Sequence, residues 1–216
     1  MQRRLLLAAP LLVAPLLVAP LLVVSAARAA DPLVYTRVDT ELGAFVIAVD
    51  PARAPITVAN YLAYVDAKQL DKGKVYRIVT PANQTPQTKH KIEVVQWGRF
   101  QDDRQPALRP PIAHETTAMT GIKHRNGTVS MARVAPGTAS SEFFICIGEQ
   151  PELDFGGGRN PDGQGFAAFG QVVAGEDIVK AIYGKAEAAQ YIKQPITVRT
   201  VRRLSAQEAA ALSLPR

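Results

Sequence analysis

The stretch His124-Arg-Asn-Gly-Thr-Val-Ser-Met-Ala132 decides how this chain folds, and a second apolar run, Phe143-Phe-Ile-Cys-Ile147, follows it closely. An Asn-Gly pair in front of a β-rich segment is a strong signal for a turn that leads into a strand. Ala135-Pro-Gly137 turns the chain again between the two runs. These features predict two short strands separated by turns, the arrangement typical of an antiparallel sheet.

Segments with the same β character recur on both sides of this region. They cover residues 34–40, 44–49, 74–79, 92–97, 167–173 and 196–204. The first two alternate around Glu41-Leu-Gly43, which predicts a β-hairpin. Residues 57–67 and 176–183 instead carry apolar side chains at helical spacing. The pattern predicts a mainly β fold, a closed eight-stranded antiparallel barrel capped by two helices.

The first thirty residues differ from the rest of the chain. Two arginines precede an apolar run over residues 5–24, and Ala27-Arg28-Ala29 matches a small-x-small cleavage site. This order predicts a secretory signal peptide over residues 1–29. Cleavage would place the protein in the periplasm of a double-membrane bacterium. Because the apolar run is long, an uncleaved anchor at the periplasmic face of the inner membrane stays an alternative.

The remainder suits one domain, which we place at residues 30–204, with residues 205–216 as a frayed helical tail. The formal net charge of +6 falls to +3 when Arg3, Arg4 and Arg28 leave with the signal peptide. A balance this mild argues against nucleic-acid binding. Cys146 is the single cysteine, so the chain has no internal disulfide, and its apolar surroundings predict a buried, unreactive thiol.

Other kinds of site have little support in the sequence. His90, His114 and His124 are the only histidines, and none has metal-ligand spacing to another histidine or to the cysteine. We expect all three to be solvated loop residues. The chain has no nucleophile elbow, and its Gly-rich stretch over residues 154–165 follows no phosphate-binding pattern. We therefore expect neither a metal nor a cofactor.

Five motifs occur together in the order and approximate spacing of one known family. They are Val75-Tyr-Arg-Ile78, Val95-Gln-Trp-Gly98, Ser130-Met-Ala132, Ser141-Glu-Phe-Phe-Ile145 and Phe169-Gly170. Through them the chain resembles the cyclophilins over about residues 38–204. The resemblance implies an eight-stranded barrel with a helix over each end and an enzyme that isomerises X–Pro bonds in proline-containing polypeptides. With the signal peptide, it implies an isomerase that assists the folding of exported proteins.

The reaction explains which side chains the family places at its site. An X–Pro bond isomerises through a twisted amide, and the uncatalysed barrier is roughly 18–20 kcal/mol. A fixed cationic donor aimed at the imide nitrogen stabilises the twisted state more than the planar one. The resemblance assigns this role to Arg77, with Gln96 to hold it and contact the substrate backbone, and with Phe144 as the floor of the proline slot. It implies further substrate-binding positions at Val94, Ala132, Arg133, Val134, Glu142, Leu153 and Phe166.

The chain departs from the family pattern at several of these positions. Glu142 replaces the usual glutamine, Arg133 the usual asparagine, and Phe166 a common histidine. Glu152 stands where many members have the tryptophan that favours cyclosporin binding, and Glu93 stands where an aromatic often lines the slot. Cyclosporin sensitivity and the ordinary substrate preference therefore do not follow from the resemblance.

Two alternatives stay open at this point. The changes at Glu93, Arg133 and Glu142 also fit a peptide-binding or chaperone module that has lost efficient turnover. In particular, Glu142 could pair with Arg133 or with Arg77, and a pair with Arg77 would weaken its donor role. An uncleaved apolar run over residues 5–24 would fit a membrane-anchored scaffold instead. We expect a monomer that meets a membrane only if the signal is retained.

Overall fold

The computed structural model describes residues 32–100 and 108–214. In these ranges the strands are β1 Val34–Thr40, β2 Gly43–Val49, β3 Lys74–Val79, β4 Val94–Gly98, β5 Thr128–Met131, β6 Glu142–Cys146, β7 Ala168–Ala174 and β8 Tyr191–Arg203. The helices are α1 Pro55–Asp66, α2 Thr117–Thr120, α3 Glu176–Tyr183 and α4 Ala206–Ala211.

The strands close into one antiparallel barrel in the order β1-β2-β7-β5-β6-β4-β3-β8. The predicted hairpin is present, with Thr40 opposite Gly43 at its turn. The two segments quoted first, β5 and β6, are neighbours, and Ser130 lies opposite Phe144. The prediction of a closed eight-stranded antiparallel barrel is confirmed.

The barrel is filled by the inward-facing side chains of its strands and by one face of each longer helix. Val58 and Tyr61 of α1 and Val179 and Ile182 of α3 belong to the same buried core as the strand residues. The core also holds Trp97, which is 1 % exposed and therefore packs inside the barrel. These contacts match the two capping helices that the periodicity predicts.

The first turn of α1 is capped from a distant part of the chain. Its N-cap residue, Ala54, offers no side-chain acceptor. The buried carboxylate of Glu115 instead accepts hydrogen bonds from the backbone N–H groups of Ile56 and Thr57 and from the Thr57 hydroxyl. A helix N-terminus leaves such donors without intrahelical partners, so Glu115 stabilises the start of α1.

Strand β8 differs from the sequence prediction, whereas the C-terminal tail is helical as expected. Strand β8 begins at Tyr191 rather than at residue 196. Its first part lacks alternation because Pro195 interrupts it, and the register with β3 shifts between Val75 and Arg77, where an irregular strand tolerates proline. The predicted frayed tail contains the short helix α4, which Ser205 caps by accepting a hydrogen bond from the Glu208 N–H.

The predictions about the ends and the cysteine have different outcomes. The signal peptide over residues 1–29 lies outside the described residues. Among the helices that the structure describes, none combines the length and the apolar character needed to cross a bilayer. Cys146 is fully buried, and burial raises the pKa of its thiol well above the ordinary value, so the prediction of an unreactive thiol agrees with its environment.

Candidate active site

A cleft of about 810 Å³ lies against the outer face of the barrel where β5, β6, β4 and β3 run side by side. Along β6, Phe143 and Ile145 point into the barrel core, whereas Phe144 and Cys146 belong to a separate apolar cluster on the other face. This alternation follows from the pleat of a strand. The cleft is lined by all the site residues that the sequence predicts: Arg77, Val94, Gln96, Ala132, Arg133, Val134, Glu142, Phe144, Leu153 and Phe166.

The guanidinium group of Arg77 is held by two amide side chains. Its Nη1 donates to Gln96 Oε1 at 2.8 Å, and its Nε and Nη2 donate to Gln190 Oε1 at 3.1 and 2.6 Å. Gln96 is fixed in turn, because its Nε2 donates to the Tyr76 hydroxyl at 2.7 Å. Burial lowers the pKa of Arg77, but the ordinary value is so high that the group remains charged at neutral pH.

Nothing in the sequence indicated Gln190, which holds Arg77, or its neighbour Tyr191, which lines the cleft. The Tyr191 ring lies 5.9 Å from the guanidinium carbon of Arg77. Both residues stand at the start of β8, where the alternating pattern does not reach. Only a correct prediction of where β8 begins could have placed these two residues beside Arg77.

Phe144 forms an apolar floor with rings on two of its sides. Phe166 meets it edge-on at 5.4 Å, and the His124 ring stacks on it at 5.9 Å with an interplanar angle of 16°. Val94 and Leu153 are buried in the same cluster. The arrangement gives a shallow apolar slot beside the Arg77 guanidinium, which suits a proline ring.

The expectation that His124 is a solvated loop residue is wrong. His124 is 1 % exposed, with Nδ1 2.8 Å from Asp154 Oδ1 and Nε2 2.9 Å from Ser130 Oγ. A buried imidazole is tolerated when both nitrogens have partners, and neither partner is adjacent in sequence. Burial lowers the pKa of His124, although its bond to Asp154 opposes this. Burial alone would raise the pKa of Asp154, but the bonds from His124 outweigh it and lower that pKa.

The departures from the family pattern have defined surroundings. Arg133 forms a two-pronged ion pair with Asp162 at 2.8 and 2.9 Å and also donates to the Gly165 carbonyl. This bonding lowers the pKa of Asp162 to about 2. Since all three nitrogens of the Arg77 guanidinium donate to glutamine oxygens, both arginines have partners other than Glu142.

The substitution at Glu93 does not place a carboxylate in the cleft. Its carboxylate accepts a hydrogen bond from the Tyr183 hydroxyl of α3 at 2.5 Å, and Glu93 is not one of the residues that line the cleft. Burial, together with this carboxylate, raises the pKa of Tyr183. Of the changes that motivated a non-catalytic module, this one adds no negative charge to the lining of the slot.

Two loops that the sequence left unassigned form one wall of the cleft. The Gly-rich stretch over residues 154–165 contributes Arg159 and Asn160 to the lining. Ile92 also lines it; the sequence predicted it as the start of a strand, but β4 begins at Val94, so Ile92 belongs to the loop that follows β3. Arg159 joins the two loops by donating to Gln84 Oε1 and to the His90 carbonyl. In the described part of the chain, no group of three His, Cys, Asp or Glu residues could hold a metal ion.

Comparison with known proteins agrees with this geometry. The family model described as cyclophilin type peptidyl-prolyl cis-trans isomerase matches residues 35–203. The chain is 32 % identical over 166 residues to the peptidyl-prolyl cis-trans isomerase cyp18 of Streptomyces antibioticus, a match that covers 76 % of this chain and 92 % of that protein. It is also 32 % identical over 160 residues to peptidyl-prolyl cis-trans isomerase A of Dickeya dadantii, covering 73 % and 75 %.

A solved structure shares the fold at much lower sequence identity. It is the cyclophilin type peptidyl-prolyl cis-trans isomerase of Cryptosporidium parvum, with a TM-score of 0.64 and 16 % identity over 81 % of this chain and 99 % of that one. On the family match and the relatives together, the chain belongs to the cyclophilin-type peptidyl-prolyl cis-trans isomerases.

Proposed function

We propose that the enzyme binds proline-containing segments of exported polypeptides in this cleft and isomerises their X–Pro bonds with Arg77 as the electrostatic catalyst. The observation that carries the proposal is the fixed guanidinium of Arg77, held by Gln96 and Gln190 beside the apolar floor of Phe144. For comparison, the Cryptosporidium parvum relative has also been solved in the presence of the dipeptide Ala-Pro.

The bonding of Arg77 leaves donors for the substrate. A guanidinium group has five N–H bonds, and three of them point at the two glutamine oxygens. No acceptor among the described residues takes the remaining N–H of Nη1 and of Nη2, so both are available to the substrate. When the X–Pro bond twists, the imide nitrogen regains a lone pair, and a positive donor already in place stabilises that state without reorganisation.

The other proposed roles follow from the same geometry. The proline ring rests on Phe144 between Val94, Leu153 and Phe166, which holds one side of the rotating bond. Gln96 uses one N–H of its amide on Tyr76, so its second N–H is available for a substrate carbonyl. The enzyme breaks and forms no covalent bond, and its contribution is to favour the twisted amide over both planar ones.

The proposed setting is the periplasm, which rests on the signal-like order of residues 1–29. Proline isomerisation takes tens of seconds without a catalyst and limits the folding of many chains. Exported proteins fold beyond the reach of cytosolic isomerases, so a monomeric isomerase in this compartment would have a clear task.

The test is the refolding of a denatured protein whose slow phase is limited by an X–Pro bond. We expect the native enzyme to accelerate that phase, and Phe144→Ala to lose about tenfold or more of the acceleration because the slot loses its floor. Phe155→Ala is the matched control, since Phe155 is a half-exposed aromatic that does not line the cleft.

Equal acceleration by folded Phe144→Ala and by the native enzyme would mean that the substrate does not use this slot. Tight binding of the refolding chain with no acceleration by the native enzyme would instead favour the peptide-binding module.

A further inference from the structure

Arg159 occupies the loop wall of the cleft in a fixed position. Its Nη1 donates to Gln84 Oε1 and to the His90 carbonyl, both at 3.1 Å. These two contacts use both N–H bonds of Nη1. In the described part of the chain, its Nε and Nη2 have no hydrogen-bond acceptor, so one whole edge of the guanidinium is unoccupied.

The loops on either side hold this arrangement. The Arg159 N–H donates to the Glu152 carbonyl at 3.1 Å, and the Glu152 carboxylate lies 2.8 Å from His90 Nδ1. Gln84 is itself fixed, because its Nε2 donates to the Thr80 and Ile92 carbonyls. A side chain with so many constraints loses little further freedom when a ligand binds, which favours binding at its open edge.

The charge balance of the cleft distinguishes Arg159 from the other arginine on the loop side. Arg133 is neutralised by Asp162, whereas the acceptors of Arg159 are an amide oxygen and a backbone carbonyl. Arg77 is likewise held by neutral amides, and among the described residues that line the cleft Glu142 is the one acidic side chain. Burial lowers the pKa of Arg159, and the positive charge of Arg77 lowers it further.

We propose that Arg159 is a specificity-determining residue that selects substrates with an aspartate or glutamate close to the isomerising proline. The Nε–Nη2 edge of an arginine matches the two oxygens of a carboxylate, and such paired hydrogen bonds are stronger than bonds between neutral groups. A substrate carboxylate would also relieve the repulsion between Arg159 and Arg77. This inference rests on the proposed function, because it concerns the choice of substrate at the same cleft.

The experiment compares the isomerisation of amidated X–Pro peptides by the full enzyme, so that the only carboxylate is a side chain. Glutamate is placed in turn at the two positions before the proline and the two after it, and each peptide is matched by one with glutamine. At one of these positions we expect kcat/KM to be about threefold to tenfold higher for glutamate, the range of a half-buried ion pair. In Arg159→Gln the ratio of the two kcat/KM values should fall to about one.

Arg37→Gln is the control variant, since it removes the same charge from β1, which lies four strands from β6 in the ring of eight. It should keep the native ratio. If Arg159→Gln does not fold, the salt dependence of the native enzyme takes its place, and the preference for glutamate should weaken steadily as ionic strength rises.

A glutamate-to-glutamine ratio of kcat/KM at or below one at every position would overturn the assignment. An unchanged ratio in folded Arg159→Gln, or a native ratio that does not change with salt, would also overturn it. If the enzyme isomerised the glutamine peptides but not the glutamate peptides, the proposed function would stand and the role of Arg159 would be wrong. Failure to isomerise any peptide would instead remove the proposed function.

Discussion

The donor role of Arg77 depends on residues that come from two different strands. Gln96 lies on β4, and Gln190 directly precedes β8. Since β4 and β8 both pair with β3, which carries Arg77, β3 must have both neighbours before the two amides reach the guanidinium. The side-chain amide oxygen of Gln190 alone accepts two of the three N–H bonds that Arg77 donates. We therefore regard Gln190 as a positioning residue whose contribution is to fix the direction of the donor.

Replacement of Gln190 tests this positioning role. We expect Gln190→Ala to lower kcat by about tenfold with a smaller change in KM, because the substrate still binds while the donor is misaligned in the twisted state. Gln190→Glu should restore the fixed geometry in part. Gln194→Ala, an exposed glutamine on β8, should behave as the native enzyme in the same peptide assay. A Gln190→Ala enzyme with native kcat would contradict the role.

The buried His124 predicts how stability depends on pH. Because burial lowers the folded-state pKa of His124 below its ordinary value of 6.5, the unfolded chain binds more protons in the range just below that value. The free energy of unfolding should therefore fall as pH decreases from about 7 to about 5, by at most about 1.4 kcal/mol per pH unit for this one group. The lowered pKa of Asp154 acts only in a separate window below its ordinary value of 3.8.

Urea unfolding at several pH values measures this slope. His124→Asn should be less stable than the native protein at neutral pH but should show a shallower loss of stability toward acid pH. Parallel slopes for His124→Asn and the native protein would show that His124 is not the group responsible.

The resemblance placed Arg77, Gln96 and Phe144 because they stand inside short motifs with fixed neighbours. It could not indicate Gln190 or Arg159. The roles of these two residues depend on contacts between segments far apart in sequence, and neither stands in a recognisable pattern. Burial of His124 was missed for the same reason, since Asp154 lies 30 residues away from it.

At the level of the elements, α1 is stabilised both by its local sequence pattern and by a contact from a distant part of the chain. Its apolar spacing predicts a helix over residues 57–67, and the structure begins it two residues earlier, at Pro55, a residue suited to the first turn. Its capping group cannot be read from the local sequence, because Glu115 lies 58 residues beyond Thr57, from whose N–H group it accepts a hydrogen bond. In the same way, the prediction of β8 is correct where side chains alternate, and it misses the first residues of the strand, where Pro195 interrupts the pattern.

Removal of the distant cap should destabilise the protein without altering the cleft. We expect Glu115→Ala to lower the free energy of unfolding by about 1–3 kcal/mol, because three donors, two of them in buried hydrogen bonds, lose their acceptor. Glu115→Gln should cost less, since one acceptor oxygen remains. Equilibrium urea unfolding provides the comparison, with the exposed Glu41→Ala as control. A Glu115→Ala protein as stable as the native one would show that water replaces the cap.

At the scale of the whole molecule, the barrel separates stability from function by the two faces of its strands. Phe143 and Ile145 fill the interior, whereas Phe144 between them faces the cleft. The sequence predicted the closed barrel from its eight short strands, two helices and the long loops between them. It did not predict the loop wall, because Gly-rich and polar segments carry no periodicity that shows where they pack.

The fate of the N-terminal segment also concerns the whole molecule. We expect the mature exported protein to begin at Ala30, because Ala27-Arg28-Ala29 places small residues where a signal peptidase requires them. Intact-mass analysis of protein recovered from the periplasm measures the start directly. Retention of the apolar run over residues 5–24 would favour the membrane-anchored form.

The most direct test of the account is the isomerisation of a short X–Pro peptide by the native enzyme beside Arg77→Ala. We expect clear catalysis by the native enzyme and a loss of about tenfold or more in kcat/KM for the variant, because the twisted amide loses its charged donor. Circular dichroism would confirm that the variant is folded. Catalysis that is unchanged in folded Arg77→Ala would contradict the assignment of the catalytic residue and of the cleft around it.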